Sequence, residues 1–448
     1  MPAVDVVVIG AGLAGLTAAV ELAERGARVH LAAKGMAATH WAHGGLDVAA
    51  PPGARTSAAG IEVLRSVDGH PYAILHADAG AGLDAQLSRL AAGGLPYRGD
   101  VDSPLRPFPT AIGGLRAAAI VPEAQAAALD PWRPDEGLFL LGIARFRDSW
   151  PEFAARNLER QAWPAGPTRI GSGVATLPGL EGLNNLNSLT LARLFDDPAW
   201  RARALDALRD AVPRTGSWRV GLPAILGLDD HPAVFAETAG RMERPIFEIP
   251  TLPPSIPGLR LYNALLSRAT GLGVAVQIGF GVEGLVREGD RISAVETHAA
   301  ARPLRIRTGA VVLATGGIAG GGLRGGRDGM VTDAVAGLPV SAPERGSWLQ
   351  GDLYGREGVA LEAAGVRVDE ELRPVDTDGV VLLENLRVVG SALAGMRYLT
   401  ERCGDGVAIA SARRAARLLA AAAAPERASH AAEATAVGNT PIGREVAP

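Results

Sequence analysis

The stretch that decides the fold opens the chain: Val4-Asp5-Val6-Val7-Val8-Ile9-Gly10-Ala11-Gly12-Leu13-Ala14-Gly15. Apart from Asp5, its first six residues are apolar, the pattern of a strand buried on both faces of a parallel sheet. Glycine ends it. The spacing of Gly10, Gly12 and Gly15 gives each glycine its own role, namely a tight turn, a backbone that can approach a pyrophosphate, and close packing of a helix on the strand. Leu16 to Arg25, rich in Ala, Leu and Glu, reads as that helix and stops at Gly26; Ala27 to Ala33 reads as the next strand. A glycine pattern alone is a weak signal, but one that follows a strand and opens a helix has the context of a dinucleotide site. The free amides of the helix start then face the phosphates, which makes Gly10, Gly12, Leu13, Ala14 and Gly15 the candidate pyrophosphate residues.

Working outward, 448 residues suit two or three packed units, and 48% hydrophobic with 21% charged residues is the balance of a globular chain. The 44 basic and 48 acidic residues are intermingled, so no basic stripe awaits a nucleic acid. Met1-Pro2-Ala3-Val4-Asp5 lacks the basic start of a signal peptide, and no window reaches the roughly 20 uninterrupted apolar residues of a bilayer span. Secretion and a direct membrane span are therefore not expected. The single cysteine, Cys403, excludes an internal disulfide and a chain-held iron–sulfur cluster, which needs about four thiolates.

From about Leu105 to Pro250 the sequence changes to short, proline-punctuated helices and strands, including amphipathic stretches at Ser149–Gln161 and Pro198–Val212. A helix over Gly258–Thr270 follows, and strands near Val274–Ile278, Val282–Arg287 and Arg291–His298 read as a β-meander. Ala310 to Leu313 is again a buried strand, running through Ala314-Thr315 into Gly316-Gly317; Leu386–Val389 ends at Gly390-Ser391. Gly404-Asp405-Gly406 opens the last helix, Val407 to about Ala424. The expectation is an α/β fold: a Rossmann-like parallel sheet with a crossover β-meander, formed by residues 1–104 and 251–424, plus an inserted α+β cap at 105–250. A mobile tail is expected over 425–448.

A nicotinamide domain would continue with alternating strands and helices, whereas here the sheet is interrupted by about 200 residues before it resumes. That layout resembles the large flavoprotein superfamily that contains fumarate reductase. In that superfamily the late Gly-Asp pair contacts the ribityl and pyrophosphate part of the flavin, which implies the same for Gly404, Asp405, Gly406 and Val407. Ala314, Thr315, Gly316, Gly390 and Ser391 join the same candidate site, and Gly44 and Gly45 belong to an early segment that lies over the flavin. Asp405 as a helix N-cap is compatible with this role. The second strand departs from the pattern: it ends His30-Leu31-Ala32-Ala33-Lys34-Gly35, with no acid for the adenosine ribose, and Lys34 is placed near a phosphate instead. The intact pyrophosphate turn favours FAD, with FMN as the alternative.

More specific stretches are Thr39-His40-Trp41, Gly44-Gly45-Leu46-Asp47, Gly69-His70-Pro71-Tyr72, Thr251 to Arg260, Gly346 to Asp352 and Arg402-Cys403-Gly404. Together they resemble the family of B subunits of anaerobic glycerol-3-phosphate dehydrogenases. The resemblance implies a membrane-associated complex with a flavoprotein partner, the A subunit, and an iron–sulfur partner, the C subunit; the chain would be cytoplasmic and peripheral to the inner face of the membrane through those partners. It implies oxidation of sn-glycerol 3-phosphate to dihydroxyacetone phosphate, with electrons passing to quinone. A phosphorylated polyol needs guanidinium partners, and Arg260, Arg327 and Arg345 are the candidates. Proton removal needs a base: His40, His43 and His70 lie in the early segments, with His40, His70 and Arg260 the candidate catalytic set. No metal site is expected. Tyr72, Trp41 and Cys403 read as packing residues. Two other readings stay open, a stand-alone fumarate reductase-like enzyme and a flavin-bearing scaffold subunit without chemistry of its own.

Overall fold

The computed structural model describes residues 3–299, 302–348 and 358–437. The apolar run Val4–Ile9 lies inside a seven-stranded sheet, flanked by Val29–Ala33 and Arg302–Leu313 and parallel to both. Val6 to Ile9 are buried, as a strand covered on both faces must be.

Arg302–Leu313 changes partners midway within this sheet. Its first half pairs antiparallel with Arg291–Ala299, and its second half runs parallel between Val4–Ile9 and Leu386–Val388. Burial alternates along the first half and becomes continuous from Ala310, the change expected where a half-solvated meander enters a covered parallel sheet. The meander is therefore Val282–Glu288, Arg291–Ala299 and Arg302–Leu313. Ala275–Ile278, read from sequence as its first arm, is instead the parallel edge strand beside Val29–Ala33.

Helix Leu13–Glu24 is buried along nearly its whole length, and the last helix packs against it and against Tyr72–Ala92. That last helix runs from Gly404 to Val437, past the end expected at Ala424; residues 438–448 lie outside the described residues. Helix Ile256–Gly271 fastens the early loop to the core. Ser255 caps the Gly258 amide and donates its hydroxyl to the Ala42 carbonyl at 2.6 Å, while Gly258 lets the helix pass against the carbonyls of Thr39 and Ala42.

The inserted segment carries a four-stranded sheet in the order Ile246–Ile249, Ser217–Pro223, Glu136–Ile143, Ile170–Ala175, parallel throughout. The mixture of helices and strands is as expected, and the crossover helices Pro151–Leu158, Pro198–Asp210 and His231–Met242 make it more regular than the α+β reading. Phe139, Leu141 and Ile143 point into one apolar cluster and Leu138 and Leu140 into another, so both faces are covered. A hairpin of Arg106–Pro109 and Leu115–Ala118 connects this segment toward the main sheet and carries Arg116. Among the described residues no helix is long and apolar enough to cross a membrane.

Candidate cofactor and active site

Two cavities open where Val4–Ile9 and Arg302–Leu313 end, the place where open α/β sheets hold ligands. One, about 370 Å³, is lined by Gly10, Gly12, Lys34, Gly321 and Arg324. The other, about 350 Å³, is lined by Leu13, Ala14, His43, Asp47, Ser391 and Asp405. Both include Gly12, Ala37, Ala314, Thr315 and Gly320, so they form one elongated site with a shared waist.

At this waist the glycines divide their work. Gly10 has φ +117°, and a Cβ there would fall inside the contact radius of the Ala314 carbonyl oxygen; a Cβ at Gly15 would do the same to the Gly10 carbonyl. These two glycines close the fold. Gly12, with an ordinary φ of −79°, has only Ala37 Cβ at 3.3 Å and Thr39 Oγ1 at 3.9 Å before its missing side chain, and it is the one facing both cavities. As N-cap it brings no side chain to the first-turn amides; Leu13 N–H donates to Thr39 Oγ1 at 2.9 Å, and the amides that follow leave the helix start suited to a phosphate. Thr315 Oγ1 is buried in the same wall with no hydrogen-bond partner among the described residues, a donor and acceptor waiting for one. A long, glycine-walled cavity with an orphan hydroxyl at its waist fits a dinucleotide with a pyrophosphate in the middle.

The flavin-end cavity is clipped shut from behind. Asp405 and Gly406 both donate their backbone N–H to the Asp47 carbonyl, at 3.0 and 3.1 Å, and Asp47 N–H donates to Asp405 Oδ2 at 2.9 Å. The Asp47 carboxylate accepts from Arg116 at 2.5 Å and from His43 Nε2 at 3.3 Å. His43 Nδ1 accepts from Gly45 N–H and from Arg116, each at 3.0 Å, so its proton sits on Nε2 and both ring nitrogens are engaged. Burial, then the Arg116 charge, keeps this imidazole below its ordinary pKa and hence neutral. Burial works to raise Asp47, but His43 and the guanidiniums of Arg116 and Arg402 hold it at about 2. Asp405 goes the other way: burial, then the Asp47 charge, pushes it up to about 7.

The Asp405 shift gives a stability prediction. Its folded value of about 7 lies above the ordinary 3.8, so the folded apoprotein holds a proton the unfolded chain releases, and stability falls as pH rises between these values. Asp405→Asn, neutral at every pH and still able to accept from Asp47 N–H, is expected to raise apoprotein unfolding stability above pH 7. The gain should close toward pH 4. A gain independent of pH, measured by urea denaturation across that range, would refute the shift.

Of the residues expected from sequence, Gly10, Gly12, Lys34, Ala314 and Thr315 line the first cavity, and Gly12, Leu13, Ala14, Ala314, Thr315, Gly316, Gly390, Ser391, Gly404 and Asp405 line the second. Several others do not. Gly44 and Gly45 shape the turn that presents His43, Gly44 with φ +90° against Pro257 and Gly45 through its bond to His43. Gly406 packs against Tyr72 and the Val48 carbonyl, and Val407 is fully buried in the core. His40 bonds the Ala37 carbonyl through Nδ1, and its neighbour Trp41, read as packing, is 56% exposed.

His70 is fully buried; its Nδ1 accepts from Tyr72 N–H at 3.0 Å, so Nε2 carries the proton toward Glu401 at 3.3 Å and Cys403 at 3.9 Å. That proton stands where a metal ion would have to bind, although His70, Glu401 and Cys403 lie within 4.8 Å of one another. Burial, then Glu401, pushes the Cys403 thiol well above its ordinary pKa, so it is inert. Arg260 is buried against Glu248 and lines a separate cavity with His231 and Arg268. Arg345 donates to the Arg327 carbonyl at 2.7 Å on an exposed loop, and neither reaches the site. Arg324 and Arg116 are the residues that sequence reasoning missed. The lining of the first cavity holds Lys34 and Arg324 with no carboxylate among the described residues, in keeping with the missing ribose acid.

A sequence-family profile described as the FAD binding domain matches residues 5–407. The chain is 32% identical over 427 residues to the probable B subunit of anaerobic glycerol-3-phosphate dehydrogenase from Halobacterium salinarum, covering 91% of this chain and 95% of that protein. To the B subunit of anaerobic glycerol-3-phosphate dehydrogenase from Pectobacterium atrosepticum it is 31% identical, covering 91% and 96%. Among solved structures it is similar to a 3-ketosteroid delta1-dehydrogenase of Sterolibacterium denitrificans, at 12% identity over 94% of this chain and 99% of that one, with a TM-score of 0.43. The cofactor is FAD rather than FMN, in line with the pyrophosphate turn. The chain belongs to the FAD binding domain family and, within it, to the family of B subunits of anaerobic glycerol-3-phosphate dehydrogenases, a family of flavin-dependent oxidoreductases.

Proposed function

We propose that this chain is the FAD-dependent subunit of a glycerol-3-phosphate dehydrogenase complex, oxidising sn-glycerol 3-phosphate to dihydroxyacetone phosphate. The observation that carries the reading is the flavin-end cavity, whose wall carries the Asp47–Asp405 clip, with Arg116 bonded to Asp47 behind that wall and Arg402 bonded to the residue after Arg116. Bound FAD supplies the hydride acceptor. Gly12, the helix start and Thr315 bind its pyrophosphate and ribityl middle, Lys34 and Arg324 at the adenosine half offset the pyrophosphate charge, and Asp405 holds or releases a proton near neutral pH. Because Asp405 Oδ2 accepts from Asp47 N–H, that proton resides on Oδ1. Electrons leave through a flavoprotein partner, the A subunit, and an iron–sulfur partner, the C subunit, to quinone, at the cytoplasmic face of the membrane. The relatives' designation as B subunits and the single cysteine of this chain support that division.

One observation favours a second reading, an FAD relay that serves chemistry on a partner: His43 is the histidine of the flavin-end lining, and both its nitrogens are engaged. Anaerobic mixing of the isolated holoprotein with sn-glycerol 3-phosphate separates the two. The first reading expects the flavin absorption band to bleach at the rate of complex turnover. An unchanged band with normal turnover of the whole complex establishes the relay, and no reduction in either preparation rejects both.

A further inference from the structure

Two guanidiniums meet beside one carboxylate at the flavin end of the site. Arg116 arrives on the hairpin of the inserted segment and donates to Asp47 at 2.5 Å and His43 at 3.0 Å. Arg402 arrives from the other side, at the end of helix Tyr398–Glu401, and donates to the carbonyl of Ala117, the residue after Arg116, at 3.3 Å. Among the described residues Arg402 forms no ion pair. His43 is neutral, Asp405 is disfavoured as an anion by burial and by Asp47, and Glu401, the residue before Arg402, is engaged with His70 and with Arg397 N–H. Burial, then the Arg116 charge, pulls the Arg402 pKa below its ordinary value, with the Asp47 carboxylate opposing them.

The backbone supports the same conclusion. Arg402 is a non-glycine residue in the left-handed region, φ +46° and ψ 57°, where most side chains cost stability; glycine there would relieve it. The strain places a guanidinium two residues before Gly404, which lines the cavity, and against the strand residue next to Arg116, whose two partners line it as well. Two planar, fork-shaped cations that share one carboxylate keep an excess positive charge suited to a phosphate, whose oxygens match the spacing of guanidinium N–H groups.

We propose that Arg116 and Arg402 form an anion-binding subsite beside the flavin-end cavity, behind the lining residues His43 and Asp47, taking the phosphate group of a phosphorylated polyol. The proposal rests on the reading that such a substrate meets this flavin, and it supplies the phosphate contacts that Arg260, Arg327 and Arg345 do not make.

The test uses the FAD-loaded protein and inorganic phosphate as probe, with FAD itself filling the Lys34–Arg324 end. Saturable phosphate binding, read by calorimetry and by the shift of the flavin visible spectrum, is expected. Arg402→Gln should weaken it about ten- to a hundredfold, the value of one charge-assisted contact, with FAD content retained. Arg402→Lys should recover part of the loss, and Arg214→Gln, on the exposed surface of the inserted segment, should bind as the parent does. If Arg116→Gln releases Asp47 and fails to fold, the Arg402 pair of variants still decides. Absence of saturable phosphate binding, or binding indifferent to Arg402→Gln, overturns the subsite. Phosphate binding that depends on Arg402 in a protein whose flavin is never reduced by glycerol 3-phosphate upholds the subsite and removes only the substrate. Flavin reduction with an unchanged KM in Arg402→Gln does the reverse.

Discussion

Replacement of Gly12 by valine is expected to give a folded protein that retains no FAD. The backbone at Gly12 is in a region open to every residue, so the substitution carries no conformational penalty. Its Cβ would stand 3.3 Å from Ala37 Cβ, close but tolerable, whereas the two further methyl groups would project into the waist shared by both halves of the cavity. Overpacking of that kind costs about 1–3 kcal/mol, and loss of the pyrophosphate contact adds to it, for a weakening of about a hundredfold or more. The ratio of flavin to protein absorbance after gel filtration measures it, with circular dichroism to show the fold intact. Gly15→Ala is the contrast: its methyl would collide with the Gly10 carbonyl, a backbone atom that cannot move without separating helix from strand, so the fold itself should fail. Stoichiometric FAD in Gly12→Val would mean that the waist is not where the pyrophosphate lies.

The difference between these glycines shows what was legible in the sequence. A strand, a turn and a helix within 24 residues are local, and their pattern is set by periodicity and glycine spacing, so the nucleotide turn could be read directly. The return of the sheet at Ala314-Thr315-Gly316 and Gly404-Asp405 was legible for the same reason, as apolar runs that end in glycine. Pairings between distant residues were not. Asp47 meets Asp405 across 358 residues and Arg116 across 69, and no spacing rule announces either contact. Arg116 carried no signal at all, because an arginine in a short hairpin usually faces solvent. The double role of Arg302–Leu313 was present in its pattern, alternating then continuous, but a strand that changes partners midway reads as two elements until the sheet is seen.

Arg260 was misread from sequence because its partner, Glu248, sits in the inserted segment, and the prediction about it is accordingly one of stability. Its guanidinium donates to Glu248 at 2.5 and 3.1 Å and to the Gly227 carbonyl, while Glu248 also accepts from Leu226 N–H at 2.8 Å. Both side chains are almost entirely buried. His231 completes the cluster as a neutral ring: Nδ1 donates to the Leu226 carbonyl, Nε2 faces Arg260 at 3.4 Å, and burial followed by the Arg260 charge holds it at about 4. Arg260→Met leaves a carboxylate buried without its cation, a change that costs about 3–5 kcal/mol in other proteins. Burial alone would raise Glu248; in the parent, the Arg260 guanidinium holds it below 4.5, so it contributes stability that is present above that pH and lost as pH falls through the folded value. In the variant the carboxyl is raised instead, so the deficit should be largest at neutral pH and shrink toward pH 4. Glu248→Leu combined with Arg260→Met should recover much of the loss, since an apolar pair of similar volume can replace a buried ion pair. Flavin reduction per folded molecule should stay at the parental rate in the double variant, because Arg260 lines a cavity separate from both halves of the FAD site. Parental stability together with lost reduction in Arg260→Met would return this arginine to the reaction.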